Sequence, residues 1–213
     1  MNSTDLYEAF RSDVSDEAAP YLWQDVEVFR YMNDAYRMFV RKIGGVADFT
    51  SVATQIPVVT GDSVGVVHPS VLRVMSAYRV SDNTPLTILN GPGSAPPTTL
   101  AGPVRAMVIG EQRGAARWTS IPAADDTVQL SVYRLPLGNI TGDAQEFTDV
   151  DEDHHIHLLD WMKHMAYRKQ DAETFDRAKS DECAATFAYY CDFVKAEHER
   201  YKHVNRTVAY GGL

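Results

Sequence analysis

The chain has 213 residues, of which 45% are hydrophobic and 23% are charged, and its formal net charge is −9. These values predict an ordinary folded protein with one sizeable core, or with one core and a small second domain. The acidic balance argues against sequence-independent DNA binding, because that affinity comes from basic side chains that replace counterions. No apolar run approaches the roughly 18 residues of a membrane-spanning helix. The N-terminal residues show no secretory signal, so we expect the chain to remain in the compartment where it is made.

The two cysteines, Cys183 and Cys191, fall within one predicted helix. A rise of about 1.5 Å per residue separates them by roughly 12 Å. A disulfide requires Cα atoms closer than about 7 Å. We therefore predict two reduced, partly buried thiols.

The N-terminal part of the chain has the periodicity of two helices. Apolar residues recur at steps of three and four between Thr4 and Val14, after a cap supplied by Thr or Asp. A longer apolar stripe runs from Leu22 to Ile43, and the Gly44-Gly45 pair is typical of a helix end.

From Phe49 to Leu137 the pattern is that of β-strands. Five runs between turn residues predict strands: QIPVVT, VLRVMSAYRV, PLTIL, VRAMVIG and VQLSVYRL. Alternation in VQLSVYR favours a sheet with one wet face, and the absence of strand–helix alternation argues against parallel pairing. The Gly- and Pro-rich stretch from Asn90 to Pro103 predicts an exposed loop.

Helical periodicity returns after Gly142 and again from about Thr174, and the final VNRTVAYGGL has no pattern and is expected to be extended. In the last helix one seam is defined by Ala184, Phe187, Cys191, Val194, His198 and Tyr201. We therefore predict an α+β protein. Residues 1–48 and 138–213 are predicted to form an antiparallel helical bundle with an extended C-terminal tail. Residues 49–137 are predicted to form an inserted β-sandwich or small β-barrel.

The sequence DEDHHIHLLDWMKH, from Asp151 to His164, suggests metal chemistry. On a helical wheel, His157, Asp160 and His164 lie within about 60° of one another and form a possible facial triad. The spacing is not that of an HExxH site. An acidic helix start with a solvated surface explains the same residues, and an interface switched by histidine protonation is a further alternative.

Other catalytic motifs are missing from the sequence. It contains no GxxxxGK[ST] or GxGxxG phosphate cradle and no GxSxG nucleophile motif. A single Glu-x-x-His pair, Glu152 with His155, falls short of the two pairs that a carboxylate-bridged di-iron bundle requires. The residue chemistry alone therefore indicates an α+β domain that is not an enzyme.

Four stretches of the chain carry a family resemblance: LWQDVEVFRYMNDAYRMF, VTGDSVGVVHPSVLRVMSAYRV, IPAADDTVQLSVYRLPL and HLLDWMKHMAYRKQDAETFDRAKSDECAATF. In their order and residues, the first resembles the opening helix, the next two the strands, and the fourth the last two helices of the head–tail connector (adaptor) proteins of tailed phages. The resemblance is closest to the tail-tubular adaptors of short-tailed phages. The loop from Asn90 to Pro103 departs from the family pattern. The matching residues are Trp23, Asp25, Glu27, Tyr31, Asn33 and Ala35, the Arg134–Pro136 stretch, and Leu159, Trp161, Ala166, Tyr167, Asp171 and Asp176.

The resemblance implies a structural virion protein without catalytic residues, metal or cofactor. It implies a homo-oligomeric ring of about twelve subunits, as expected for closed cyclic symmetry, at the head–tail junction of the virion and assembled in the host cytoplasm. Its partners would be the portal protein and a tail tube or nozzle protein, without a membrane. DNA would pass through the channel without specific binding during genome ejection. The alternative is a metal-dependent enzyme or regulatory binding module that uses the His157/Asp160/His164 face.

The C-terminal tail is the predicted portal-binding segment. Unpatterned termini are commonly free until a partner holds them, so the stretch from Val204 to Leu213 is expected to order on the portal. The predicted portal-binding residues are Asn205, Arg206, Val208, Tyr210 and Leu213.

Overall fold

The computed structural model describes residues 1–96, 99–170 and 174–202 of the chain. These residues combine four α-helices with several β-sheets, so the predicted mixture of helices and strands is confirmed. The helices are α1 (Ser3–Asp13), α2 (Asp25–Ile43), α3 (Leu158–Tyr167) and α4 (Arg177–Lys202).

The strands form three sheets, with β10 pairing with β1, β2 and β4 in the first, the order β3-β8-β7-β5 in the second, and a β6-β9 pair as the third. No sheet closes into a barrel within the described part of the chain. The strands are β1 (Val46–Asp48), β2 (Gln55–Val58), β3 (Val64–Val66), β4 (Val71–Arg79), β5 (Thr87–Asn90), β6 (Ala101–Gly102), β7 (Ala106–Ile109), β8 (Ala115–Trp118), β9 (Ile121–Pro122) and β10 (Asp126–Arg134).

The chain divides into two compact units. One unit begins with Met1–Gly44 and resumes at Pro136, and the other comprises Gly45–Leu135. We call them the helical unit and the β unit. The predicted domains, residues 1–48 with 138–213 and residues 49–137, stay a prediction.

The helical unit begins with a well-capped helix. Asn2 caps α1, because its side-chain oxygen accepts hydrogen bonds from the backbone N–H groups of Thr4 and Asp5 at 2.9 and 3.0 Å. The sequence prediction of a Thr or Asp cap was therefore wrong by two or three residues. The predicted end of α2 is confirmed: Gly44 has a φ of 98°, a left-handed conformation that glycine adopts without steric cost.

The predicted seam of α4 lies on the inner side of the helix. Phe187, Cys191 and Val194 are buried, and Ala184 and His198 are half-buried; the side chain of Tyr201 lies outside the described residues. Both cysteines are free thiols, and burial raises the pKa of Cys191 to about 12. A thiol held in its neutral form is a poor nucleophile, so Cys191 acts as a packing residue.

In the β unit the five predicted strands are confirmed as β2, β4, β5, β7 and β10. Val128, Leu130 and Val132 of β10 enter the core as predicted. The opposite face of β10 is less exposed to solvent than predicted, because the Gln129 side chain is also buried. Its amide nitrogen donates to the Phe49 carbonyl oxygen at 2.8 Å and to the Thr54 hydroxyl at 2.6 Å, which satisfies the buried polar group.

Two strand pairs are parallel, β5 with β7 and β6 with β9, which the sequence analysis had argued against. A parallel pair needs a crossover of about a dozen residues or more. The crossover between β5 and β7 contains the Gly- and Pro-rich stretch, and β6 lies near the C-terminal end of that stretch. The stretch is therefore a structural connection as well as a loop. Arg117 holds its described part by donating to the carbonyl oxygen of Ala95 at 2.8 Å.

The two ends of the β unit pair with each other. β1 runs antiparallel to the end of β10, with Val46 opposite Arg134. Beside this pairing, the buried Asp48 and Arg134 form an ion pair. Burial alone would raise the pKa of Asp48, but hydrogen bonds from Arg134 and Ser51 outweigh that effect and hold the pKa well below its ordinary range.

Gly65 in β3 tests the packing of the β unit. A Cβ atom at Gly65 would lie 2.5 Å from both Ile56 Cγ2 and Trp118 Cζ2. We expect Gly65→Ala to lower the free energy of unfolding by about 1–3 kcal/mol, because overpacking forces the buried neighbours to move. Urea unfolding of the purified protein measures this. The control is Gly102→Ala, where nothing lies within 4 Å of the added atom. Equal stability of the two variants would contradict the packing described here.

Candidate functional site

The histidine-rich segment does not begin a helix in the way the sequence analysis expected. Glu152–His157 forms a 3-10 helix, and α3 starts only at Leu158. The segment is also less solvated than predicted, because its histidine rings pack against other side chains of the helical unit.

His155 is buried, with 5% of its surface exposed. Its Nδ1 lies 2.7 Å from the carbonyl oxygen of Met1, and its Nε2 lies 2.9 Å from that of Val150. The ring also packs against Phe147 at a centroid distance of 4.9 Å. Both ring nitrogens lie against backbone oxygens, so His155 joins the N-terminal residue to the segment that precedes α3, and neither nitrogen faces a possible metal site.

His154 and His157 both contact Tyr190 of α4. The Nδ1 atom of His154 lies 2.8 Å from the Tyr190 hydroxyl, and the His157 ring stacks on the Tyr190 ring at 3.4 Å. Burial lowers the pKa of both histidines. They therefore favour the neutral form and serve as aromatic packing partners.

The possible triad His157, Asp160 and His164 is not assembled. Asp160 Oδ1 lies 3.2 Å from Lys163 Nζ, while Nδ1 of His164 lies 3.0 Å from the backbone oxygen of Ser180 and 2.9 Å from its hydroxyl. Among the residues that the structure describes, no group of three or more His, Cys, Asp or Glu side chains lies close enough to share a metal ion. The geometry therefore does not support the metal-dependent alternative.

The residues that carried the family resemblance meet around the start of α2. The Trp23 side chain is buried and packs edge-on against Phe10 and Tyr167, at centroid distances of 6.0 and 6.3 Å. Glu27 accepts hydrogen bonds from its own helix cap, Gln24 N, at 3.1 Å and from Lys169 Nζ at 3.0 Å. These side chains attach α2 to α1 and to the end of α3.

A buried arginine joins α1 to the same corner, and the sequence analysis missed it. Arg11 is 4% exposed and forms an ion pair with the buried Asp16. It forms a second ion pair with Asp25, in which Nη2 of Arg11 lies 2.7 Å from Oδ1 of Asp25. Its guanidinium also lies over the rings of Tyr7 and Tyr21, at 5.0 and 4.1 Å. One feature of the sequence indicated this burial: Arg11 lies one helical turn after Tyr7, beside the apolar stripe of α1.

Further along α2, polar side chains bind the chain that returns from the β unit. Asn33 donates to the carbonyl oxygen of Ile140 at 2.5 Å and accepts from the Ile140 N–H at 2.8 Å. The Tyr36 hydroxyl accepts from the Asp149 N–H at 3.0 Å, and Asp34 accepts from the Trp161 indole at 2.7 Å. These residues are structural, since each satisfies a polar group of its own fold.

The last matching residues define the start of α4. Asp176 Oδ1 accepts the backbone N–H of Lys179 at 3.0 Å, which is the geometry of a helix N-cap. Asp171 lies outside the described residues. The predicted portal-binding residues Asn205, Arg206, Val208, Tyr210 and Leu213 also lie outside them, so their role stays a prediction.

The comparisons with known proteins agree with this structural role. A sequence model of the family described as SU10 adaptor protein matches residues 1–200. The chain matches no curated protein sequence. None of the helices in the described residues has both the length and the apolar composition that a membrane span requires.

The hydrogen bonds between Asn33 and Ile140 allow a direct test of how α2 holds the chain that returns from the β unit. We expect Asn33→Ala to cost about 1–3 kcal/mol of unfolding free energy, because it leaves the N–H and C=O groups of Ile140 without these partners. Thermal or urea unfolding measures the loss. The control is Asn139→Ala, which removes one exposed hydrogen bond from Arg37. If both variants lose the same small amount, Asn33 does not hold the returning chain.

The lowered pKa of His157 predicts a pH dependence of stability. Below the ordinary histidine pKa of about 6.5, the unfolded chain binds more protons than the folded chain, so stability falls as the pH falls. His157→Phe keeps an aromatic ring on Tyr190 and removes the titration. We therefore expect its unfolding free energy to fall less than that of the wild type between about pH 7.5 and pH 5.5. Urea unfolding at both pH values tests this, and a constant difference between the two proteins would contradict it.

Proposed function

We propose, because the chain belongs to the SU10 adaptor protein family, that it forms the ring joining the portal of a phage head to the tail. The family is one of phage head–tail adaptors, and the match over residues 1–200 is the observation that carries the proposal. The chain is thus a structural component of the virion. Its finer location, the head–tail junction reached after assembly in the host cytoplasm, is part of the proposal.

The proposed assembly is a ring of about twelve copies that extends the DNA channel and presents a platform to a tail tube or nozzle protein. Each copy would combine an antiparallel helical bundle with an inserted β-sandwich. The way side chains are used supports a structural role over an enzymatic one. The histidines and carboxylates that suggested chemistry are engaged in hydrogen bonds, ion pairs or ring contacts within the helical unit.

The charge of the chain supports passage of DNA without binding. The formal net charge is −9, and repetition of that charge around a channel would repel phosphate groups. DNA could then slide during genome ejection without being held by the wall. No cofactor is required for this function.

Cryo-electron microscopy of the purified chain mixed with the portal protein encoded near it tests the proposal. We expect a ring of these subunits stacked on the portal, with a continuous central channel. Portal particles that carry no such ring, at saturating concentrations of the chain, would overturn the proposed function.

We also propose that the C-terminal residues attach the ring to the portal. Removal of residues 205–213 is expected to abolish portal binding in a pull-down and to leave the thermal unfolding midpoint unchanged, because unpatterned termini are commonly free until a partner holds them. A control that replaces the same nine residues with a Gly/Ser segment of equal length separates sequence from length. Undiminished binding by the truncated chain would contradict the prediction.

A further inference from the structure

Helix α4 has a second apolar surface that faces away from its own unit. The inner seam of Phe187, Cys191 and Val194 is buried, whereas Tyr189 is 79% exposed and Phe193 is 53% exposed. At 100° per residue these two aromatic residues lie one turn apart, on the side of the helix roughly opposite the buried seam. Two exposed aromatic side chains on adjacent turns are a common feature of surfaces that bind another protein.

The charged residues on this side of α4 are mostly acidic, with Glu182, Asp192 and Glu197 on or beside it and Arg200 seven positions after Phe193. The residues three or four positions from Tyr189 and Phe193 on the helix include two charged ones, Asp192 and Glu197. The aromatic pair therefore fits a partner surface that is apolar at its centre and basic at its edge.

The outer side of α2 offers such a surface on the same unit. A groove of about 490 Å³ is lined by Val26, Phe29, Arg30, Arg37 and Ile140, among others. Val26, one of the lining residues, is 81% exposed, so the groove includes an apolar side chain that contacts water. The third charged residue of the groove, Asp34, is half-buried and already accepts the Trp161 indole, so the exposed charges here are the two arginines.

The aromatic pair of α4 and the groove of α2 are complementary in shape, since one protrudes and the other is concave, and in chemistry. The volume of the groove lies within the range of about 300–1,000 Å³ that is typical of ligand pockets. Arginine is also the residue that most often contacts aromatic faces, with a favourable cation–π interaction. Asp192 and Glu197 supply the opposite charges to Arg30 and Arg37.

We propose that the α4 aromatic pair of one copy docks into the α2 groove of a second copy. Because the two surfaces are different patches on one unit, the contact is head-to-tail, and each copy can receive one neighbour and bind another. The inference deepens the proposed function, on which it rests for the idea that the chain assembles with copies of itself. It assigns the contact between neighbouring subunits to named side chains.

Two complementary variants of the full chain test the contact. The first, Tyr189→Ala/Phe193→Ala, removes the aromatic pair but keeps the groove. The second, Val26→Glu/Arg30→Glu, blocks the groove but keeps the aromatic pair. All four positions lie on the surface of the helical unit, so both variants are expected to fold, as checked by circular dichroism and the thermal midpoint.

Sedimentation velocity over subunit concentrations up to about 1 mM, the range of effective concentrations in assemblies, measures self-association. We expect the wild type to form oligomers and each variant alone to associate at least about tenfold more weakly, the usual effect of removing an interface anchor. An equimolar mixture of the two variants should form a 1:1 dimer and nothing larger, because only one pair of intact surfaces remains. The matched control, Phe175→Ala, removes an equally exposed aromatic side chain (52%) and should associate like the wild type.

Three outcomes overturn the inference: a monomeric wild type throughout this range, variants that associate like the wild type, or a mixture that stays monomeric. Charge exchange gives a second measurement, in which Arg30→Asp should weaken association and the double variant Arg30→Asp/Asp192→Arg, which carries both reversed charges in one chain, should restore it. The experiment contains no portal protein, so its failure is separate from that of the proposed function. If the chain binds the portal but shows no contact between α4 and α2, only this inference is wrong. If the α4–α2 contact forms but the chain does not bind the portal, only the portal role is wrong.

Discussion

The helical unit depends on how Asn33 holds Ile140. The segment between Gly138 and Val150 has no regular structure, so its backbone polar groups need partners from elsewhere. Asn33 satisfies both polar groups of Ile140, and the Tyr36 hydroxyl takes the N–H of Asp149. Ser3 of α1 binds the carbonyl oxygen of Gly142 at 2.8 Å. An irregular segment is thereby fixed by side chains of the first two helices, and α3 begins from a fixed position.

The same logic explains how the described residues use side chains that are otherwise common in catalytic sites. Asn, His, Asp and Arg side chains recur in the helical unit, but they serve its own backbone and its own charges. His155 binds two carbonyl oxygens, and Arg11 neutralises Asp16 inside the fold. Such buried polar contacts cost stability when one partner is lost, and they specify one arrangement of the helices. A subunit with one fixed arrangement of helices suits the proposed ring.

The sequence was informative wherever one periodicity governed a long segment. The stripe of α2, the seam of α4 and the five predicted strands were accessible from the sequence because burial of one face repeats along the chain. Strands of two or three residues, such as Val64–Val66 and Ala101–Gly102, carry too few residues for a period. The parallel pairs and the contacts of His154 and His157 were unpredictable for another reason. They depend on residues far away in sequence, such as Tyr190, whose position only the fold determines.

The pairing of β1 with the end of β10 has a consequence for how such a chain can change. Because Val46 lies opposite Arg134, the β unit leaves the helical unit and returns to it at neighbouring backbone positions. An insertion whose ends are adjacent adds little loop-closure entropy to the unit that carries it. The β unit could therefore grow, shrink or be exchanged while the path of the helices stays the same.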